Sequence, residues 1–253
     1  MIRRSQYRCS FKLLSADILP ENIIESCKDY FAKLIEEGRV CSASFYKYNN
    51  LGFLYVEEIV TDMTDPYLNV DKCMSDMQPY LKAWPEEDGD RYMAPMIKVY
   101  YHHKPDEDID LWEKERTTAV KERIGRIAFL YPNKLPSYVM HHNAIVEEGL
   151  LKGDKYAYIS LHENILFSYY EEPRNNVNIK GIDGESKAVE EWLKVDPEAH
   201  FDREKAKGKN FLPIPCLFSV DRIDFIVRQT NSVHQVFPGP FHCHAWLRRK
   251  PTF

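Results

Sequence analysis

Glycine is scarce in this sequence, and the glycine-rich loops that bind phosphate are missing with it. Only 10 of the 253 residues are glycine, and neither G-x-G-x-x-G nor G-x-x-x-x-G-K-[ST] occurs. Those loops use glycine so that backbone N–H groups can approach a phosphate closely. Their absence excludes the common dinucleotide-dependent and nucleoside-triphosphate-dependent enzymes.

Long apolar runs and an excess of basic residues are missing as well. No apolar run approaches the ~20 residues that span a bilayer, and the N-terminus turns polar without a signal-peptide core. Lys and Arg number 34 against 39 Asp and Glu, whereas nucleic-acid binding needs a basic face. The six cysteines form no C-x-x-C pair, which indicates buried, reduced thiols. We therefore expect a cytoplasmic protein that binds no nucleic acid and no membrane.

The apolar pattern predicts the element order β-α-β-β-α-β twice. The first copy comprises a strand at 7–14, a helix ending at Gly38, strands at 40–48 and 51–59, a helix at 71–84 and a strand at 95–103. The second comprises a strand at 124–131, a helix at 135–151, strands at 155–161 and 164–172, a helix at 184–195 and a strand at 211–220.

A short repeated segment supports duplication of the βαββαβ unit. The segment FLYVEE at 53–58 matches FSYYEE at 167–172, at the same point of each copy. The alternative is that two α+β units share an element order by chance. Each four-stranded sheet would be covered by its own helices on one face and would need a partner on the other. The sequence therefore predicts an α+β fold in which tandem ferredoxin-like βαββαβ units form a dimeric α/β barrel within one chain.

This reading divides the chain into four parts. Residues 1–105 form a non-catalytic unit, and 106–123 form a charged linker with a solvated helix. Residues 124–220 form the unit that carries the candidate site, and 221–253 form a C-terminal extension. The chain would be a pseudodimer, and whether it oligomerises further stays open.

The densest cluster of aromatic and polar side chains lies at 137–148. Tyr138 and His142 are one helical turn apart, so they would share one face of the predicted helix. Tyr156 would open the next strand, with Tyr158 on the same face. Histidine exchanges protons near neutral pH because its unperturbed pKa is ~6.5, and phenol rings give a sugar both hydrogen bonds and a flat wall. The alternative is that Tyr138 and His142 are partly buried helix residues with satisfied polar atoms.

The motifs of this region occur together in a known family. The helix reads Tyr-x-x-x-His-Asn-x-Ile from Tyr138, and the following strands read Tyr-Ala-Tyr from Tyr156 and Asn-Ile-Leu-Phe from Asn164. Residues 124–172 thereby resemble the L-rhamnose mutarotase family. The resemblance implies ferredoxin-like units paired as dimeric α/β barrels. It also implies that the α and β anomers of a deoxyhexose are interconverted without a cofactor.

The resemblance implies roles for individual residues. His142 matches the catalytic histidine, and Tyr138 and Tyr156 match tyrosines that contact the substrate. Trp192 and His200 lie in the region of the family's Trp-Trp pair. The predicted catalytic residues are His142, Tyr138 and Tyr156, and the predicted substrate-binding residues are Tyr158, Asn143, Trp192 and His200.

Mutarotation removes one proton from the anomeric hydroxyl and delivers one to the ring oxygen. No hydride moves, so the missing nucleotide motifs are consistent with this reaction. We predict an isomerase of the mutarotase type whose partner is a small-molecule sugar, with no cofactor and no metal. Two alternatives stay open: a module that binds a sugar without turnover, and another cofactor-independent isomerase, lyase or oxygenase on the same barrel.

Other histidines give weaker signals. His242 and His244 would lie on one side of an extended segment, near His234, and two histidines with a carboxylate can hold a metal. No third candidate ligand lies at a spacing typical of a metal site, so we expect this C-terminal segment to pack on the fold instead of binding a metal.

One working site is expected, in the second unit. Ser26 or Cys27 of the first unit stands where the second has His142, and neither relays a proton near pH 7 as imidazole does. The first unit would contribute only to the edge of the pocket, through Tyr100, His102 or Trp84.

Overall fold

The computed structural model describes residues 1–12, 19–87, 89–105, 108–114, 116 and 122–222. The first half contains β1 (Ile2–Ser10), α1 (Glu21–Glu36), β2 (Val40–Tyr48), β3 (Leu51–Ile59), α2 (Val70–Cys73), β4 (Trp84–Glu86), β5 (Gly89–Arg91), β6 (Ala94–Pro95), β7 (Ile97–Tyr101) and α3 (Ile109–Glu113). The second half contains β8 (Glu122–Phe129), α4 (Leu135–Glu148), β9 (Gly153–Asp154), β10 (Tyr158–His162), β11 (Ile165–Glu172), β12 (Asn176–Val177), α5 (Lys187–Lys194), β13 (Leu212–Ile214) and β14 (Cys216–Asp221).

Two five-stranded antiparallel sheets form among the described residues. Their strand orders are β14-β2-β3-β1-β6 and β13-β8-β11-β10-β7. The central pair is equivalent in both sheets, because β1 pairs with β3 in the first and β8 pairs with β11 in the second. The predicted α+β class with two ferredoxin-like units is confirmed.

The fourth strand of each unit passes from one sheet into the other. In the first unit β6 pairs with β1, and β7 then pairs with β10 of the second sheet. In the second unit β13 pairs with β8, and β14 then pairs with β2 of the first sheet. The predictions of continuous strands at 95–103 and 211–220 are therefore wrong, since the strands break at Met96 and Pro215. This exchange closes the two sheets into a barrel within one chain.

The interior between the sheets is aromatic. Phe53 stacks on Phe167 with ring centroids 4.9 Å apart, and Tyr55 stacks on Tyr169 at 3.8 Å. All four rings are 0% exposed, and burial of such a side chain stabilises a fold by ~1.5–3 kcal/mol. The repeated Phe-x-Tyr-x-Glu pattern of β3 and β11 thus places equivalent rings against each other across the barrel.

The same pattern buries two carboxylates beside these rings. Arg116 donates hydrogen bonds to both oxygens of Glu57 at 2.7 Å and to Glu171 at 2.8 Å. The hydroxyls of Tyr55 and Tyr169 each donate to the glutamate two residues later at 2.6 Å. Burial alone would raise the pKa of Glu57, but the charge and hydrogen bonds of Arg116 outweigh it and lower the pKa to about 2.

The connection between the halves differs from the predicted solvated linker. Trp112 is 0% exposed and Arg116 is 3% exposed, and the Trp112 indole donates to Glu57 at 3.1 Å. A charged segment enters the interior here because its arginine is paired with buried carboxylates from both halves.

Two predicted elements of the first unit have different bounds. β1 begins at Ile2 rather than at residue 7, because Arg3 and Arg4 are buried with partners for their guanidinium groups. The predicted helix at 71–84 ends at Cys73 and continues as a 3-10 helix over Ser75–Tyr80. Pro79 lies within this segment, and a proline lacks the N–H that an α-helix needs.

Residues 223–253 lie outside the described residues. The prediction that the segment with His234, His242 and His244 packs as a tail concerns these residues. Among the described helices, none is long and apolar enough to cross a membrane.

Candidate active site

A cluster of histidine and aromatic rings lies on the outer face of the second sheet, beneath α4 and α5. α4 ends before Gly149, which has a φ of 70°, a conformation that glycine adopts without strain. Ser186 caps α5 and also donates to Glu148 at the end of α4, so the two helices are joined there. This arrangement places His142 of α4 opposite Trp192 of α5.

His142 is held as a neutral base. Its Nδ1 lies 2.8 Å from the Tyr138 carbonyl oxygen, and because a carbonyl only accepts, Nδ1 carries the hydrogen and Nε2 keeps a lone pair. Burial lowers the pKa of His142 to about 4; the Tyr138 bond opposes this shift, and His141 and His200 add to it. At neutral pH, Nε2 is therefore free of a proton.

Three rings surround this imidazole. Tyr138 stacks on it at 3.8 Å, while Trp192 at 5.0 Å and Tyr100 of β7 at 5.6 Å form T-shaped pairs with it. Burial raises the pKa values of Tyr138 and Tyr100 well above the ordinary value of a tyrosine. Both phenols accordingly stay protonated at neutral pH.

His200 supports the cluster from below. It is 0% exposed, its Nδ1 lies 3.1 Å from the Asp196 carbonyl oxygen, and its Nε2 lies 3.0 Å from the Ser137 hydroxyl. Its ring lies 4.6 Å from that of Trp192. Both ring nitrogens of His200 are thus engaged, and its ring packs against that of Trp192.

His102 supports the cluster from the side of β7. Its Nδ1 lies 3.1 Å from the Leu151 carbonyl oxygen and 3.2 Å from the Tyr100 hydroxyl. Burial lowers its pKa. The ring lies directly against Gly153, where a Cβ atom would overlap it, so this glycine is what allows His102 to approach.

The structure brings four predicted site residues together and separates the others. Tyr156 and Tyr158 lie on the interior face of the second sheet, where their hydroxyls donate to the carbonyl oxygens of Trp112 at 2.7 Å and Arg4 at 3.1 Å. Tyr156 lies in a turn before β10, so the prediction that it opens this strand is wrong. Asn143 is exposed on α4. The residues that do meet are Tyr138, His142, Trp192 and His200.

The corresponding helix of the first unit has no equivalent base. Cys27 is 1% exposed, and burial raises the pKa of its thiol to about 11. The Ser26 hydroxyl donates to Asp76. Of the predicted edge residues, Tyr100 contacts His142, whereas the Trp84 ring lies 5.8 Å from His162 instead.

Within the described ranges, no group of three His, Cys, Asp or Glu side chains could hold a metal ion.

Comparison with known proteins gives distant structural likenesses. A candidate monooxygenase from Fusobacterium nucleatum is 15% identical, covering 87% of this chain and 94% of that one, with a TM-score of 0.40. A candidate monooxygenase from Lactobacillus acidophilus is 5% identical, covering 87% and 96%, with a TM-score of 0.39. A candidate chlorite dismutase is 11% identical, covering 89% and 98%, with a TM-score of 0.34.

Similarity at this level assigns no activity to the chain. No family model and no curated protein matches it. The resemblance of residues 124–172 to L-rhamnose mutarotases thus stays a prediction.

Proposed function

We propose that the chain is a cofactor-independent acid/base enzyme that interconverts the anomers of a deoxyhexose or a related pyranose. The observation that carries this proposal is the His142 imidazole, whose Nδ1–H is committed to the Tyr138 carbonyl. Its Nε2 is left as a base beside Tyr100 and Trp192. His142 keeps part of its surface exposed, and the neighbouring indole of Trp192 gives the apolar face of a sugar a surface to pack on.

The reaction needs one proton relay. His142 Nε2 takes the proton of the anomeric hydroxyl as the bond between the anomeric carbon and the ring oxygen breaks. A carbonyl forms at the anomeric carbon, and the ring oxygen receives the proton back from the imidazolium. Both oxygens are attached to the same carbon, so one nitrogen reaches both. Rotation of the free aldehyde and the reverse steps give the other anomer. The Tyr100 phenol, which stays protonated because burial raises its pKa, lies with its ring 5.6 Å from the imidazole.

A second candidate is binding of a sugar without turnover. It is favoured by the positions of Tyr156 and Tyr158, since both hydroxyls are used on the interior face of the sheet. A site at His142 therefore lacks Tyr156, one of the two tyrosines that the resemblance implies, and also Tyr158, which strand alternation predicted for the same face.

Exchange NMR on a panel of reducing sugars separates the two candidates. We expect the wild-type protein to accelerate anomer exchange of L-rhamnose or another panel member, and His142→Gln to return the rate to that of water. His162→Gln, at the end of β10 and outside the cluster, is the control and should keep the activity. A sugar that raises the melting temperature while exchange stays at the uncatalysed rate would favour binding alone. A panel with neither effect would contradict both candidates.

A further inference from the structure

A cleft opens where the chain leaves the first sheet for the second. It has a volume of about 920 Å³ and lies between β1, β7 and the segment 63–71. It forms because β6 covers only Tyr7 and Arg8 of β1, so the rest of that strand edge borders open space. His142 and its ring partners do not line it, and the cleft is therefore distinct from the site described above.

Some of the charges that line the cleft are already neutralised. Arg3 pairs with Glu58 at 2.8 Å, and Arg91 pairs with Glu86 at 3.2 Å. Asp71 also lines the cleft, and its carboxylate accepts from two backbone N–H groups, at 2.8 and 3.2 Å. Arg3 and Arg91 therefore contribute no uncompensated positive charge to the cleft.

Three further cations line the cleft, and no carboxylate in the described part of the chain pairs with them: Arg4, Lys98 and Lys104. Arg4 is 8% exposed, and its guanidinium donates to neutral carbonyl oxygens, those of Tyr156 at 3.1 Å and His103 at 2.9 Å. Although the Lys98 side chain is exposed, partial desolvation lowers its pKa, and the charges of Arg4 and Lys104 lower it further. The charges of Arg4 and Lys104 thus act against the ammonium group of Lys98, and no carboxylate of the described residues is paired with it.

A buried amide provides a second, independent feature. Gln6 lines the cleft and is 2% exposed. Its Nε2 donates to the Tyr158 carbonyl oxygen at 3.3 Å, but its Oε1 has no hydrogen-bond partner. A buried acceptor left without a partner costs ~1–3 kcal/mol. Because the surrounding cations would repel an ammonium group, the donor that suits Oε1 is a hydroxyl.

We propose that this cleft binds a small organic anion that carries a hydroxyl group, of the sugar-acid or sugar-phosphate class. The anionic group lies with Lys98 and Lys104, where its charge offsets their repulsion, and the hydroxyl donates to Gln6. The Tyr101 ring, 5.0 Å from the Lys98 ammonium nitrogen, forms an aromatic wall beside the ligand. This site requires no activity at His142.

Calorimetric titration with four probes tests the proposal. D-glucuronate and D-glucose 6-phosphate carry both required features, D-glucose lacks the charge, and cyclohexanecarboxylate lacks the hydroxyls. We expect one or both of the first two probes to bind saturably, and the other two to bind at least about tenfold more weakly, the range expected for loss of one charged hydrogen bond. The preferred anion distinguishes a carboxylate ligand from a phosphate ligand.

Variants locate the binding. Lys98→Met removes an exposed charge and should weaken binding about tenfold. Gln6→Met should bring the hydroxylated anions down to the affinity of cyclohexanecarboxylate. The exposed Lys82, outside the cleft, provides the matched control Lys82→Met, which should bind as the wild type does.

The proposal would be overturned if neither hydroxylated anion bound, if D-glucose bound as tightly, or if Lys98→Met retained wild-type affinity. Because Lys98 is exposed, that variant is informative even if Gln6→Met does not fold. His142→Gln should bind the anion normally, so this outcome is independent of the proposed mutarotase activity.

Discussion

Replacing Arg116 with methionine tests what holds the two halves of the barrel together. Arg116 makes four hydrogen bonds of 2.7–3.1 Å to Glu57 and Glu171. The pKa of Glu57 falls from 4.5 to about 2, which corresponds to ~3 kcal/mol in favour of the charged form in the folded state. Removing one partner of a buried ion pair costs ~3–5 kcal/mol. We expect Arg116→Met to lose ~3–5 kcal/mol of unfolding free energy at pH 7.

The loss of unfolding free energy in Arg116→Met should become smaller as pH falls. In the wild type the lowered pKa of Glu57 stabilises the fold above its unfolded value, and this contribution is lost as pH falls toward 2. Without Arg116, the hydrogen bonds from Tyr55 and Trp112 remain, but burial is the largest single effect on Glu57 and raises that pKa, so the variant gains stability as pH falls. The difference in unfolding free energy between the wild type and Arg116→Met should therefore become smaller from pH 7 to pH 5.

Urea unfolding followed by tryptophan fluorescence at both pH values measures this gap. As a control, Glu57→Gln and Glu171→Gln added to Arg116→Met should recover stability at pH 7, because they remove the unpaired charges. Two results would refute the reasoning. One is a loss of unfolding free energy below ~1 kcal/mol, which an ordinary substitution can cause. The other is a difference between wild type and variant that does not change with pH.

Two further predictions concern the rings around His142. Gly153→Ala should displace His102, because the new Cβ would overlap its ring; we expect ~1–3 kcal/mol of destabilisation and shifted His102 imidazole resonances, whereas Gly184→Ala, whose Cβ meets Leu150 only at 3.5 Å, should change little. His142 should also make the fold less stable between pH 6.5 and about 4, where the unfolded chain binds a proton and the folded one does not. His142→Phe should remove that part of the acid sensitivity in urea unfolding, and an unchanged pH slope would contradict the lowered pKa.

The duplication could be predicted from the sequence because side chains in a strand alternate between two faces. An identical Phe-x-Tyr-x-Glu pattern in two strands implies identical inward positions, and Tyr55 and Tyr169 do stack on each other. The juxtaposition of Tyr138 and His142 could be predicted for a similar reason, since residues four apart on a helix face the same way.

The face on which Tyr156 and Tyr158 lie could not be predicted in the same way. Both faces of the second sheet are buried, with Tyr158 and Phe167 toward the interior and Leu161 and Leu166 toward the helices. Alternation of apolar and polar residues, which normally marks the covered face, therefore does not show which side α4 packs on.

The exchange of strands and the cleft depend on contacts between the halves. Pro215 lacks the N–H that a continuous strand needs, but the sheet that each strand enters after Met96 and Pro215 is set by partners far along the chain, such as Gln6 and Lys47. One signal was available: Arg3, Arg4, Gln6 and Arg8 make β1 unusually polar for a strand whose residues are nearly all buried. A buried strand with so many polar side chains indicates that these side chains line a cavity or pair with other polar groups inside the fold, rather than that the segment is a loop.

The pH dependence of L-rhamnose anomer exchange, followed by saturation-transfer NMR, tests the proposed role of His142 most directly. Because the neutral imidazole is the base and its pKa is about 4, the catalysed rate should rise as pH passes about 4 and stay level through neutral pH. The same profile recorded with His142→Gln should show only the uncatalysed rate. A catalysed rate that persists in His142→Gln, or that first appears above pH 7, would contradict the assignment of His142 as the base.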